Sequence, residues 1–161
     1  MTLPEQTKQL TAALGRIPSG LFIVTARQGQ AETGMLASWV QQCSFVPPLI
    51  TLALAPERPM SVWLHEGSVF AINILDVSQT DMIGHFGRGF ALDEPAFTGL
   101  EVSRLPSGLI ILDEALAYLE CRVTNRFPTG DHNLFIAQAL SGKLLGDGQP
   151  MVHIRKSGVH Y

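Results

Sequence analysis

The chain has 161 residues, enough for one domain with a sizeable hydrophobic core. Its net charge of −3 and its scattered lysines and arginines argue against a nucleic-acid partner, because binding a polyphosphate requires clustered cations. Hydrophobic residues make up 46% of the chain, but the longest apolar runs are far shorter than the roughly 20 residues that span a bilayer. We therefore expect a cytoplasmic protein without a nucleic-acid or membrane partner, whose apolar excess is buried against another subunit or a planar ligand.

The first third of the chain predicts one helix followed by strands. Residues 4–14 carry apolar side chains at helical spacing, and Gly15 is a natural end for the helix. The run 49–55 is continuously apolar, which predicts a strand buried on both faces. Together with the turn at Gln28–Gln30, the pattern predicts strands over 21–26, 32–40 and 49–55.

The rest of the chain predicts two more short helices and many strands. Helices are expected over 60–66, between Pro59 and Gly67, and over 79–86. Gly87–Phe90 is expected to be a mobile loop. Strands are predicted over 69–75, 109–112, 115–124, 133–145, 151–154 and 159–161. Many closely spaced strands with few helices predict a β-barrel.

One segment combines features that suggest a ligand site. Residues Gly34–Ser38 are small, so a backbone there can approach a ligand closely. Pro47 and Pro48 then end one extended segment and begin another, because proline supplies no amide hydrogen. From spacing alone, an ordinary corner of a barrel explains the segment equally well.

The residues of this segment resemble a known family. Gly-Met-Leu-Ala-Ser-Trp-Val-x-Gln-x-Ser-Phe-x-Pro-Pro, residues 34–48, resembles the flavin-binding segment of the flavin reductase-like, FMN-binding split-barrel family. The Ser-Trp-Val version is similar to that of the flavin reductase modules in cyanobacterial flavodiiron proteins. Further matches lie at 14–21, 70–75 and 130–132. The resemblance implies a mainly β fold, an FMN-binding split β-barrel with short flanking helices, formed by a single domain over residues 1–161.

The resemblance also implies which residues contact the flavin. In this interpretation the amides of Ala37, Ser38 and Trp39 and the hydroxyls of Ser38 and Ser44 bind the polar edge of the ring. The strand-to-helix corner after residue 55 binds the phosphate, where Arg58, Ser61 and the free amides of a helix N-terminus are available. The full set of expected flavin contacts is Leu36, Ala37, Ser38, Trp39, Cys43, Ser44, Ala53, Leu54, Ala55, Arg58, Pro59, Ser61, Phe86 and Arg88.

A second motif is expected to contact the electron donor. Gly130-Asp131-His132 by itself predicts only a tight turn with an exposed histidine. In similar reductases the histidine of this motif lies beside the nicotinamide, which makes His132 the candidate catalytic residue. Asp131 would orient either the imidazole or the turn.

The resemblance implies an NAD(P)H-dependent flavin reductase, in a homodimer with the site at the subunit interface. It would pass reducing equivalents to flavin or to a partner oxygenase or oxidase. Leu36 and Trp39 replace hydroxyl residues that many members have, so FAD remains possible beside FMN, and the donor is NADH or NADPH. Two alternatives remain at this point: an electron-transfer flavoprotein of the flavoredoxin type, and a flavin-free barrel that binds another planar ligand.

Cysteine and histidine give no sign of other chemistry. Cys43 and Cys121 lack the spacing of a metal site, and we expect both to stay reduced, with Cys43 as a small apolar residue at the site. The five histidines show no ligand spacing either, so no metal is expected.

Overall fold

The computed structural model describes residues 4–161. In chain order its elements are α1 Glu5–Leu14, β1 Ser19–Gly20, β2 Phe22–Gln28, β3 Ala31–Ala37, β4 Val40–Ser44, β5 Leu49–Leu54, a 3₁₀ helix Pro59–Val62, β6 Val69–Ile74, α2 Thr80–Gly87, β7 Val102–Arg104, β8 Ile110–Leu112, β9 Ala117–Thr129, β10 His132–Leu144 and β11 Val152–His153. Neither α1 nor α2 has the length and apolar character needed to cross a membrane.

Seven of the strands form one antiparallel sheet that must curl. Its order is β3-β2-β6-β9-β10-β5-β4, so β3 and β4 are its two edges. Only Ser38 and Trp39 separate those edge strands in the chain, which lets their ends lie at most about 11 Å apart. In a flat sheet, six strand spacings would place the edges about 29 Å apart. The sheet is therefore rolled into a split barrel, as the sequence predicted.

The core lies inside this rolled sheet. Leu52, Phe70 and Phe135 are fully buried and come from three different strands. Along β5 the side chains alternate between buried and half-buried. The strand was predicted correctly, but the prediction that both of its faces are buried was wrong. One face of β5 points into the barrel, and the other is only partly covered.

A buried asparagine ties the barrel to the small β7–β8 sheet. The side chain of Asn73 is fully buried; its Nδ2 donates to the carbonyl of Ile23 at 2.9 Å, and its Oδ1 accepts from the amide of Leu112 at 2.8 Å. Because both polar ends of the side-chain amide are hydrogen-bonded, burying this group stabilises the fold and fixes the position of the small sheet against the barrel.

Several predicted elements differ from the structure. The helix expected over 60–66 is a four-residue 3₁₀ helix, and 159–161 form no strand. Strand β4 was not predicted, because its polar residues give no apolar alternation. Strand β9 is longer than expected and β10 begins one residue earlier, which leaves only Gly130 and Asp131 as the turn, where Gly130 has φ 38°.

The two cysteines lie in opposite environments. Cys121 is fully buried in the core, and this burial, together with the charge of Glu120, raises its pKa to about 12. Cys43 lies exposed on the edge strand β4.

We predict that Ellman's reagent at pH 8 modifies one thiol per native chain rapidly and the second only after denaturation. The thiolate is the reactive form, and Cys121 is both protonated and inaccessible. Cys43→Ser should abolish the fast reaction, whereas Cys121→Ser should leave it intact. Two fast thiols, or none, would contradict this arrangement of the strands.

Candidate functional site

The site is built around the two residues that join the sheet edges. Ser38 and Trp39 lie between β3 and β4, and the carbonyl of Trp39 accepts a hydrogen bond from the amide of Ala53 at 3.0 Å. The amides of Ser38 and Trp39 donate to no residue within 4–161. Both donors are therefore available to a ligand.

Cavity A lies on one side of this junction, between β3 and α2. Its volume of about 350 Å³ is in the range of small-molecule sites. It is lined by Leu21, Thr33, Gly34, Met35, Leu36, Ala37, Ser38, Arg58, Pro59, Met60, Ile83, Phe86, Gly87, Gly89, Phe90, His153 and Tyr161.

A few polar residues line this mostly apolar cavity. Thr33 is 2% exposed, and its hydroxyl is buried without a hydrogen-bond partner within 4–161. A buried hydroxyl with no partner is costly unless a ligand satisfies it. Arg58 adds one guanidinium to the wall of the cavity. The cavity therefore matches an apolar ring system with a polar edge and an anionic tail.

Close packing of α2 on β3 fixes the inner wall of cavity A. Phe86 is 1% exposed, and a Cβ added at Gly34 would lie 2.9 Å from its ring. Only glycine at position 34 lets the aromatic ring approach the strand this closely.

Cavity B lies on the other side of the junction and also measures about 350 Å³. The rings of Trp39 and His132 lie against each other there, with centroids 4.7 Å apart. The full lining is Trp39, Ala55, Glu57, Asp131, His132, Arg155, Gly158, Val159, His160 and Tyr161.

Hydrogen bonds fix the orientation of His132. Its Nδ1 lies 2.6 Å from Oδ1 of Asp131, and its Nε2 contacts the hydroxyl of Tyr161. The hydrogen bond from His132 lowers the pKa of the Asp131 carboxyl, so the carboxylate is ionised at neutral pH and can only accept. Nδ1 must therefore carry a hydrogen, and in this tautomer Nε2 accepts from the Tyr161 hydroxyl.

A narrow cleft connects the two cavities. It is lined by residues of β3 and β5 together with Trp39, Arg58 and Tyr161. The ring of Tyr161 lies 5.4 Å from that of Trp39, and the guanidinium of Arg58 lies 5.7 Å from the Tyr161 ring. The arrangement brings two ligand-sized spaces into contact at one point.

The structure brings most of the predicted site residues together. Cavity A contains Leu36, Ala37, Ser38, Arg58, Pro59 and Phe86. The cleft contains Ala53, Leu54 and Ala55. Trp39 and His132 lie in cavity B.

Four predicted flavin contacts lie elsewhere in this chain. Cys43 and Ser44 line a shallow surface hollow on β4, because that edge strand turns away from the junction. The 3₁₀ helix is too short for an N-terminal phosphate seat, and its Ser61 lies outside the lining of the cavities. Arg88 does not line either cavity: its guanidinium lies 4.1 Å from the ring centroid of Phe90 and 3.5 Å from Glu94.

Some site residues were missed by the sequence analysis. Thr33 and Met35 line cavity A and lie at alternate, buried positions of β3, which the alternation of a strand could have indicated. Arg155 and Tyr161 come from a remote part of the chain, and no sequence signal placed them there. Among residues 4–161, no three metal-ligating side chains come together.

The comparisons with known proteins agree with this geometry. Residues 14–160 match the model of the flavin reductase like domain. The chain is 44% identical over 161 residues to a Synechocystis protein that bears the name diflavin flavoprotein A 3, and 38% identical over 154 residues to diflavin flavoprotein A 1 of the same genus. These matches cover 99% and 94% of this chain, but the chain spans only 27% of the length of either relative.

Solved structures share the fold. An NADH:FAD oxidoreductase of Streptomyces globisporus superposes with a TM-score of 0.84 at 23% identity, covering 98% of this chain and 93% of the other. The flavin reductase of the styrene monooxygenase of Pseudomonas putida gives a TM-score of 0.75 at 26% identity, covering 89% of this chain and 90% of the other. The chain belongs to the flavin reductase-like family of split β-barrels.

Proposed function

We propose that the chain is an NAD(P)H-dependent flavin reductase that binds FMN in cavity A and the nicotinamide of the donor in cavity B. The observation that carries the proposal is the pair of ligand-sized cavities that meet at Ser38 and Trp39. Transfer between two planar rings depends mainly on bringing them into contact, so two adjoining cavities supply what such a reaction needs.

The groups that line cavity A suit a flavin. The apolar wall would cover the ring, while the free amide of Ser38 and the hydroxyl of Thr33, with the amide of Trp39 in the adjoining cleft, would bind its polar edge. Arg58 would bind the phosphate as a charge-assisted partner. A bound flavin supplies the redox chemistry, and the protein contributes binding, orientation and exclusion of water.

His132 and Trp39 would hold the donor in cavity B. The 4.7 Å contact between their rings forms an aromatic surface against which a nicotinamide can lie. Asp131 holds the imidazole in one orientation, so His132 presents a fixed edge to the donor. The proposal takes either NADH or NADPH as donor.

The wider proposal concerns assembly and partners. We propose that residues 1–161 form a single domain that works as a cytoplasmic homodimer and passes reducing equivalents to flavin or to a partner oxygenase or oxidase. Phe45 and Val46 form an exposed apolar tip, with side chains that are 86% and 92% exposed. Such a tip supports the proposal that a second subunit or a partner covers this surface. The structural neighbours include the flavin reductase of a styrene monooxygenase and the flavin reductase component of a two-component tryptophan halogenase, which supports an oxygenase partner.

An anaerobic absorbance spectrum tests the function directly. After saturation with FMN, the flavin band should bleach when NADH or NADPH is added, and the faster nucleotide identifies the donor. Repeating the titration with FAD tests the alternative flavin. A bound flavin that neither nucleotide bleaches would contradict the reductase function, and no flavin binding at all would contradict cavity A as its site.

We predict that Thr33→Val has opposite effects on flavin affinity and on stability. Losing a ligand hydrogen bond should weaken FMN binding by about 2- to 10-fold, measured by fluorescence quenching. Removing an unpartnered buried hydroxyl should raise the melting temperature of the flavin-free protein.

Thr25→Val is the matched control for that substitution. Thr25 is equally buried, but its hydroxyl donates to the carbonyl of Ile110 at 2.6 Å. The control should lower the melting temperature and leave FMN affinity unchanged. If Thr33→Val also destabilises the flavin-free protein, its hydroxyl is satisfied in a way that this structure does not show.

We predict that His132→Ala weakens use of the donor but not binding of the flavin. KM for the nucleotide should rise about 10-fold, equivalent to about 1.4 kcal/mol, because the ring that orients the nicotinamide is lost. The dissociation constant of FMN should stay unchanged. His65→Ala, at an exposed site outside both cavities, should change neither value. Loss of FMN with unchanged donor kinetics would refute the role of His132.

A further inference from the structure

Residues 155–161, called the strap here, pass over cavity B and carry Tyr161 into the cleft. Arg155 and Gly158 to Tyr161 all line cavity B. Within residues 4–161, Tyr161 alone lines cavity A, cavity B and the cleft. The side chain therefore lies on the path from one cavity to the other.

Tyr161 uses the same groups that a ligand in cavity B would need. Its hydroxyl contacts Nε2 of His132, and its ring lies 5.4 Å from Trp39. Burial raises the pKa of its phenol, so the hydroxyl is protonated at neutral pH and donates to the imidazole. An aromatic ligand cannot lie against Trp39 and His132 at this point while the phenol ring is present, so the two are mutually exclusive.

The strap is held lightly. No residue from 152 to 161 is buried, and Tyr161 itself is 58% exposed. Helix α1, against which the strap lies, also has no buried residue. A segment with few buried contacts opens at a small cost in free energy compared with global unfolding.

Close backbone contacts with α1 fix the closed position. The amide of Gly158 donates to the carbonyl of Thr11 at 2.7 Å, and Nη2 of Arg16 donates to the carbonyl of Arg155 at 2.6 Å. A Cβ at Gly15 would lie 2.9 Å from the same carbonyl oxygen. Glycine at position 15 thus allows the strap to approach the end of α1, and a larger residue there would push it away.

We propose that Tyr161 is a removable cover between the two cavities, which the strap and α1 hold closed and which must swing out before a ring in cavity B can meet a ring in cavity A. The identity of those rings, nicotinamide and flavin, rests on the proposed function. The apparent affinity of the donor is then its intrinsic affinity reduced by the fraction of open molecules. Tyr161 therefore acts by limiting the access of the donor to cavity B and takes no part in the transfer itself.

Hydrogen exchange of the ligand-free protein tests the cover without any assumption about function. Peptides covering 155–161 should exchange faster in Tyr161→Ala, which loses the contacts with Trp39 and His132, and in Gly15→Ala, which displaces the strap. Gly84→Ala is the control: it makes the same glycine-to-alanine change, inside α2, where nothing lies within 4 Å of the new Cβ. Exchange that Tyr161→Ala leaves unchanged would overturn the proposal.

Steady-state kinetics with FMN test the consequence for access. KM for the donor should fall by about 3-fold or more in Tyr161→Ala and in Gly15→Ala, because a larger fraction of molecules is open. Gly84→Ala should keep the KM of the parent protein. A rise in KM in Tyr161→Ala would overturn the proposal, because Tyr161 would then form part of the surface that binds the donor.

The two experiments distinguish a failure of the proposed cover from a failure of the proposed function. If exchange follows the expected pattern and neither flavin nor nucleotide binds, the cover stands and the proposed function fails. If both ligands bind and turn over but exchange and KM are insensitive to Tyr161→Ala, the function stands and the cover is refuted.

Discussion

The structure depends on one geometric constraint, namely that two residues join the opposite edges of a seven-stranded sheet. With only Ser38 and Trp39 between β3 and β4, the sheet has to curl until its edges nearly meet. At that junction the carbonyl of Trp39 still accepts from Ala53, but the amides of both residues have no partners in the described chain. The same constraint that shapes the barrel thus creates its main recognition element.

The junction also explains why two cavities adjoin. Cavity A uses the side of the junction that faces α2, where Gly34 lets Phe86 pack closely. Cavity B uses the opposite side, where Trp39 meets the tip of the β9–β10 hairpin at His132. In the proposed function each cavity would hold one ligand, and in the proposed cover the lightly held strap would be the part that moves.

The fold and the residues around Ser38 and Trp39 were largely predictable from the sequence, whereas the outer residues of the candidate site were not. The spacing of the strands predicted a β-barrel, and the family resemblance named Ser38, Trp39 and Arg58, which line the two cavities. Cys43, Ser44 and Arg88 lie outside both cavities, since the direction of an edge strand and of a loop is decided by packing. Tyr161 could not be predicted, because its contact with His132 joins segments that are remote in sequence. The unpartnered hydroxyl of Thr33 is visible only when its neighbours in space are known.

The pairing of β10 with β5 has a consequence for the order in which this chain folds. Residues 133–138 pair with 49–54, and this non-local contact is what carries the sheet from β9 to the edge strand β4. Local hairpins such as β2–β3 and β9–β10 can form early, since their strands are adjacent in the chain. The pairing of β10 with β5 closes a long loop, and the loss of chain entropy on closing this loop makes the pairing slow. The junction at Ser38 and Trp39, and with it both cavities, is therefore complete only once this long-range pairing has formed.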